Sequence, residues 1–195
     1  EYQRIIYRID GDILTNNYPV AIQRLDSLYN NYDFIYAKHC FKALQICSLS
    51  ADSVNALKWL KKSMEQGVPL WMFQNNELTK LVFNFSETQQ IVASYDSLRM
   101  IYQRTIREDI RNTIDSLYEL DQKYTRRVND GFILLRYTGY YMRWLKNNKR
   151  QFEIIKAITE TYGFPGEKLI GLPSYVADSL QMSKRFNTQG PLLGE

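Results

Sequence analysis

The chain has 195 residues, 45% apolar and 24% charged, with a formal net charge of +4. That apolar share excludes an intrinsically disordered chain, and the length fits one domain or two small ones with a sizeable core. One histidine, His39, and two cysteines, Cys40 and Cys47, exclude most His- and Cys-based metal sites and leave a histidine-dependent triad a single possible base.

Helical periodicity runs along the chain and strict apolar–polar alternation persists nowhere, so the expected fold class is all-α. The first helix is expected after Asn16-Asn17-Tyr18, with Pro19 in its first turn and Ala21, Ile22, Leu25, Leu28 and Tyr29 on one face. Asn30-Asn31 ends it. A second is expected from about Asp33 to Cys47, with Phe34, Ala37, Cys40, Phe41, Leu44 and Cys47 inward. Seven residues apart on a helix, the two cysteines stand about 10.5 Å apart, beyond the roughly 7 Å a disulfide spans. They read as free thiols on a buried face. A third helix, about 53–66, draws its N-cap from Ser50-Ala51-Asp52-Ser53 and is closed by Gly67 and Pro69. Shorter helices are expected near 75–83 and 86–103.

Ala21-Ile22 with Leu25 and Leu28 recurs 35 residues later as Ala56-Leu57 with Leu60 and Ser63. A small residue, a large one four later and another three after that resembles the second helix of a tetratricopeptide repeat, over roughly residues 15–100. The resemblance implies helical hairpins stacked so that paired helices approach closely at the small residue. Such stacks need about three copies to stand alone, so the C-terminal half is expected to cap this one.

From Thr105 the pattern lengthens. Ile106, Ile110, Ile114, Leu117, Leu120, Tyr124 and Val128 mark a helix of about six turns, with Arg107, Arg111, Glu119 and Lys123 on its outer side. Asn129-Asp130-Gly131 reads as a turn or break. Another long helix is expected from about Phe132 to Tyr162, with Tyr137, Tyr141, Trp144, Asn148, Phe152, Ile155 and Tyr162 along one core side. Gly163 suits the position after the last helical residue, and Phe164-Pro165-Gly166 reads as a turn in which Gly166 is free to take positive φ. A short helix is expected at about 174–184, then an irregular end from Asn187 to Glu195. The expected architecture is thus TPR-like hairpins (1–103) stacked on a C-terminal pair of long helices with an irregular tail (104–195).

Leu120-Asp121-Gln122-Lys123-Tyr124 through Arg127 forms one half of a second resemblance. The other half is Phe152-Glu153-Ile154-Ile155, continuing through Tyr162-Gly163-Phe164-Pro165-Gly166-Glu167-Lys168-Leu169-Ile170-Gly171. Together they resemble a bacterial domain family of unknown function, often exported and often found beside helical repeats. The resemblance covers about 105–195. That family continues into a helix with a His-Ala-Asp-type motif, whereas no histidine follows His39 here. It therefore implies a bacterial source but no assigned reaction. An exported or periplasmic place is favoured slightly over the cytoplasm, as it is by a chain beginning at Glu1-Tyr2 without Met.

Chemistry-bearing residues are weighed against simpler roles. His39 reads as a satisfied or partly exposed structural histidine, because Cys40 points some 100° away around the helix. Asp115 and Glu119 are carboxylates at i,i+4, but Arg111–Asp115–Glu119–Lys123 reads as an ordinary charge ladder. Asp121 and Arg127 read as an ion pair or a helix-to-turn clamp. No phosphate-cradling glycine loop is present, since Gly163-Phe164-Pro165-Gly166 lacks the following Lys-Ser/Thr. Residues 99–150 carry 12 Lys+Arg against 6 Asp+Glu. Within them Arg136, Arg143, Lys146 and Arg150 fall within about 80° of one helical face, while Tyr137, Tyr140, Tyr141 and Trp144 centre about 140° away. Cations and aromatics on separate sides are the ordinary amphipathic pattern, so nucleic acid is disfavoured as a partner.

The favoured function is a non-catalytic protein- or peptide-binding scaffold using a helical-repeat groove. One alternative is a small-ligand binder or enzyme with a site built from Asp121, Arg127, Tyr162, Pro165 and Gly166. The other is single-stranded nucleic-acid binding along Arg136, Arg143, Lys146 and Arg150. The residues lean away from an enzyme without deciding the point. No catalytic set, metal or cofactor is expected, and no apolar run approaches the roughly 18–20 residues of a membrane helix, so the chain reads as soluble.

Overall fold

The computed structural model describes residues 1–130 and 139–172, and all regular structure among them is helical. They divide into two compact units that meet in sequence at Thr105 and Ile106. The first holds α1 (Tyr2–Leu14), α2 (Tyr18–Asn31), α3 (Ala37–Leu49), α4 (Ser53–Glu65), α5 (Leu70–Asn75), a 3-10 turn (Thr79–Asn84), α6 (Thr88–Ala93) and α7 (Tyr95–Thr105). The second holds α8 (Glu108–Asp130), α9 (Tyr141–Tyr162) and α10 (Glu167–Ile170). The expected helix start at Phe132, Tyr137, Arg136, the short helix at 174–184 and the tail lie outside the described residues.

The helix expected first is the second. α1 precedes it and buries Ile6, Ile9 and Ile13 to 4%, 1% and 2% exposure. Gly11 costs a helix interior about 1 kcal/mol, but three buried isoleucines contribute about 1.5–3 kcal/mol each, so burial wins. α3 begins at Ala37 rather than Asp33, because Tyr36 is extended at φ −58°, ψ 138°. Ile35 is buried in place of the half-buried Phe34. Cys40 and Cys47 are buried free thiols, as their spacing requires. Asp52 caps α4 by accepting from the Asn55 amide at 3.1 Å. Beyond Gly67 the two expected helices become four pieces. The Asn76 carboxamide oxygen accepts from the amides of Leu78 and Thr79, and the buried Thr79 and Thr88 hydroxyls donate to the carbonyls of Phe73 and Val82. Those bonds satisfy the backbone where helix is interrupted.

The 35-residue period extends to the backbone of both hairpins. In the first loop Thr15 donates to Gly11, Asn16 to Ile13 and Asn17 to Asp12; in the second Ser50 donates to Ile46, Ala51 to Ser48 and Asp52 to Cys47. Asn16 (φ +56°) and Ala51 (φ +52°) hold the same left-handed position. Ala21 and Ala56, also 35 apart, are both fully buried. α1 and α3 are thus equivalent first helices, and α2 and α4 equivalent second helices.

In the second unit α8 and α9 pack antiparallel. Gln151 Nε2 donates to the Leu117 carbonyl at 2.9 Å and Trp144 Nε1 to Asp121 Oδ1 at 3.2 Å. α8 runs through Asn129 and Asp130 of the expected turn or break, whose Gly131 lies outside the described residues. Of the expected core side of α9, Trp144 and Asn148 are shielded, whereas Tyr141, Phe152, Ile155 and Tyr162 are exposed, Phe152 to 63%. The shielded side carries Trp144, Asn147, Asn148, Gln151, Ile154 and Ile158. Arg111, expected on the outer side, is instead shielded beside Asp115 at 4.0 Å. Gly163 ends α9 at φ +85°. Gly166 does not use positive φ; at φ −88° it is the residue from which α10 starts. The Arg107 amide donates to the Leu169 carbonyl at 2.8 Å, tying this turn to the start of α8.

Candidate functional site

Outward-facing residues of the first unit follow the same 35-residue offset. Gln3, Tyr7, Asp10 and Leu14 of α1 stand in register with Lys38, Lys42, Gln45 and Leu49 of α3. The two rows touch where Lys42 Nζ donates to Asp10 Oδ1 at 2.8 Å. Gln45 Nε2 reaches Asn76 Oδ1 at 3.4 Å and carries the row past α5. Along it Tyr7 and Leu14 remain 68% and 77% exposed. Arg4, Arg8 and Lys38 are exposed nearby and form no ion pair among the described residues. On the second helices the same 32-residue step joins Asp26 to Lys58 at 2.7 Å, with Lys58 Nζ 4.1 Å above the Tyr29 ring.

His39 closes the end of this face. Its Nδ1 lies 2.8 Å from the Tyr2 hydroxyl, which also accepts from the Tyr36 amide at 3.3 Å. The rings of Tyr2 and Tyr36 pack against the imidazole. Burial first, then the Lys38 and Lys42 charges, push the imidazole pKa down to about 4 against a weaker raising effect of Asp10. The side chain is therefore a neutral structural joint between α1 and α3. Burial likewise pushes the Cys47 thiol up to about 12, so no thiolate nucleophile is available there.

The residues of the alternative ligand site fall at different places on the second unit. Asp121 stands midway along α8 and accepts from Trp144 Nε1, while Arg127 is exposed in the last turn of the same helix. Tyr162, Pro165 and Gly166 belong to the turn at the other end. There the Arg107 guanidinium lies 4.6 Å over the Tyr162 ring and donates to Asp109 through Nε and Nη2, at 3.0 and 2.8 Å. The Arg107 pairing holds the Asp109 carboxyl below the usual range. From Arg107 to Asp121 is 14 helical steps, about 20 Å. The structure groups Tyr162, Pro165 and Gly166 with Arg107, not with Asp121 and Arg127. Arg107 was missed as the partner of Tyr162; the one legible signal was Arg107-Glu108-Asp109 at a helix start.

Of the basic stripe, Arg136 lies outside the described residues. Arg143, Lys146 and Arg150 are exposed and, with Tyr124 of α8, line a groove of about 430 Å³. The expected core aromatics are split, with Trp144 half-buried and Tyr141 40% exposed. Among the described residues no three His, Cys, Asp or Glu side chains converge as metal ligands, and no helix is long and apolar enough to cross a membrane. No family model, curated protein or solved structure matches the chain.

Proposed function

We propose that the chain is a non-catalytic peptide- or protein-binding scaffold of the tetratricopeptide-repeat kind, using the face shared by α1 and α3. One observation carries this reading: two helical hairpins repeat at 35 residues down to their loop hydrogen bonds, so their first helices present matched side chains in adjacent rows. Stacked hairpins recognise extended partners through such rows. Tyr7 and Leu14 supply apolar anchors that the unit itself leaves uncovered. Arg4, Arg8 and Lys38 beside them suit a peptide with an apolar anchor and acidic neighbours.

The test is selection from a displayed peptide library on the full chain, followed by titration of the enriched peptides. Enriched sequences with acidic residues flanking an apolar one, binding at least tenfold more weakly to Tyr7→Ala and to Leu14→Asp, support the reading. Equal binding to both variants, or no enrichment at all, overturns it.

A further inference from the structure

The groove between α8 and α9 has features that the peptide-binding reading does not use, and its argument is independent of that reading. Four cations of α9 converge on it: Arg143, Lys146, Lys149 and Arg150. None of them forms an ion pair among the described residues. By contrast Arg24, Lys42 and Lys58 of the first unit each lie within 2.8 Å of a carboxylate. Like charges at i,i+3 and i,i+4, as in Arg143–Lys146 and Lys146–Arg150, repel one another and weaken a helix. A cluster of this kind is stabilised by an anion laid along it.

Asn147 also lines the groove. Tyr124 closes the α8 side. Glu153 bounds the far end and disfavours negative charge there, which sets the register of an anion on Arg143, Lys146 and Arg150. From Arg143 to Arg150 the helix backbone rises about 10.5 Å, a row of cations that matches an extended polyanion better than a single tetrahedral anion. The volume, about 430 Å³, falls within the range of small-ligand sites.

We propose that this groove binds a small, extended polyanion bearing two or more phosphoryl groups, held along α9 by Arg143, Lys146 and Arg150. Guanidinium groups at both ends match phosphoryl oxygens through paired N–H donors, whereas Lys146 acts between them as a point charge. Affinity therefore climbs with the number of phosphoryl groups.

The experiment is isothermal titration of the full chain with tripolyphosphate, pyrophosphate and sulfate at matched ionic strength. Expected are micromolar binding of tripolyphosphate, weaker binding of pyrophosphate and at least tenfold weaker binding of sulfate. Arg143→Glu and Arg150→Glu should each lose at least tenfold with unchanged circular dichroism. Lys168→Glu makes the same change in net charge outside the groove and should leave binding within twofold. Sulfate binding as tight as tripolyphosphate overturns the proposal, as does an equal loss in Lys168→Glu and Arg150→Glu. So does an eight-residue oligothymidylate that binds through these residues when tripolyphosphate does not, which assigns the stripe to single-stranded nucleic acid.

Discussion

His39 illustrates how a residue type that suggests chemistry is absorbed by packing. Its Nδ1 is engaged by the Tyr2 hydroxyl, and only 5% of the residue is exposed. Desolvation and the neighbouring Lys38 and Lys42 disfavour the imidazolium in the folded chain, so its pKa falls from 6.5 to about 4. The unfolded chain then binds more protons than the folded one between these two values, and stability declines as pH falls through that window. Above pH 6.5 the contribution is fully present; below about 4 it has gone. The whole effect is at most about 3.4 kcal/mol. Urea denaturation midpoints measured from pH 7.5 to pH 4 should fall more steeply in the wild type than in His39→Gln. Parallel curves would show that the imidazole stays solvated or charged in the folded chain. Because His39 joins α1 to α3, the lost stability should appear first as exposure of Tyr2.

At the level of elements, the closing turns decide where helices stop, and they do so with different residues at one conformation. Asn16, Ala51 and Gly67 all hold positive φ, and each sends its amide to the carbonyl three residues back. Alanine in the left-handed region costs about 1–2 kcal/mol, while glycine loses about 0.4–1 kcal/mol through the freer unfolded chain. Ala51→Gly should therefore stabilise by about 0.5–1 kcal/mol, raising Tm by a few degrees. Gly67→Ala should have the opposite sign and be larger, about 2–4 kcal/mol, because a Cβ there collides with the Tyr102 ring as well as straining φ. Thermal melts of the two variants test both signs, and a Gly67→Ala variant as stable as wild type would refute the packing account. Gly67 and Gly163 were legible as helix ends because glycine at that position has a single physical meaning. Other elements were less legible. α1 hid behind Gly11 and a charged sequence, although Ile6, Ile9 and Ile13 carry the 3–4 spacing. α9 was misread in part, because Tyr141, Phe152 and Tyr162 mark its exposed side. Its contact with α8 includes Trp144, which the pattern did place inward, and Gln151, whose polar bond a hydrophobic pattern cannot reveal. The candidate ligand residues failed to converge for a related reason. Sequence motifs gave their identities, but only tertiary placement could put Tyr162 beside Arg107 and Asp121 beside Trp144.

Across the whole molecule, the two units are built on different balances. The first buries Ile9, Leu25, Leu28, Ile35, Leu44, Trp59, Leu60 and Phe73 to 1% exposure or less. Each such side chain contributes about 1.5–3 kcal/mol, and the 35-residue repeat lets α2, α3 and α4 share one interior. In the described part of the second unit, the buried residues of α8 and α9 are Ile110 and Gln151 alone, at 4% and 9% exposure. Their pairing draws on hydrogen bonds worth about 0.5–1.5 kcal/mol net each. Local opening free energies follow such differences in buried apolar contact. Hydrogen exchange at pH 7.5 should therefore separate the chain into two classes. Amides of α3 and α4 should exchange only through global opening, while those of α8 between Leu117 and Tyr124, and of α9 between Trp144 and Gln151, should exchange at least tenfold faster. If both classes exchange at one rate, the polar hairpin is as stable as the repeat, and the stability of the second unit must come from contacts other than those between α8 and α9. If the split appears and tripolyphosphate slows exchange in α9 alone, the same measurement locates the bound anion on the helix that carries Arg143, Lys146 and Arg150.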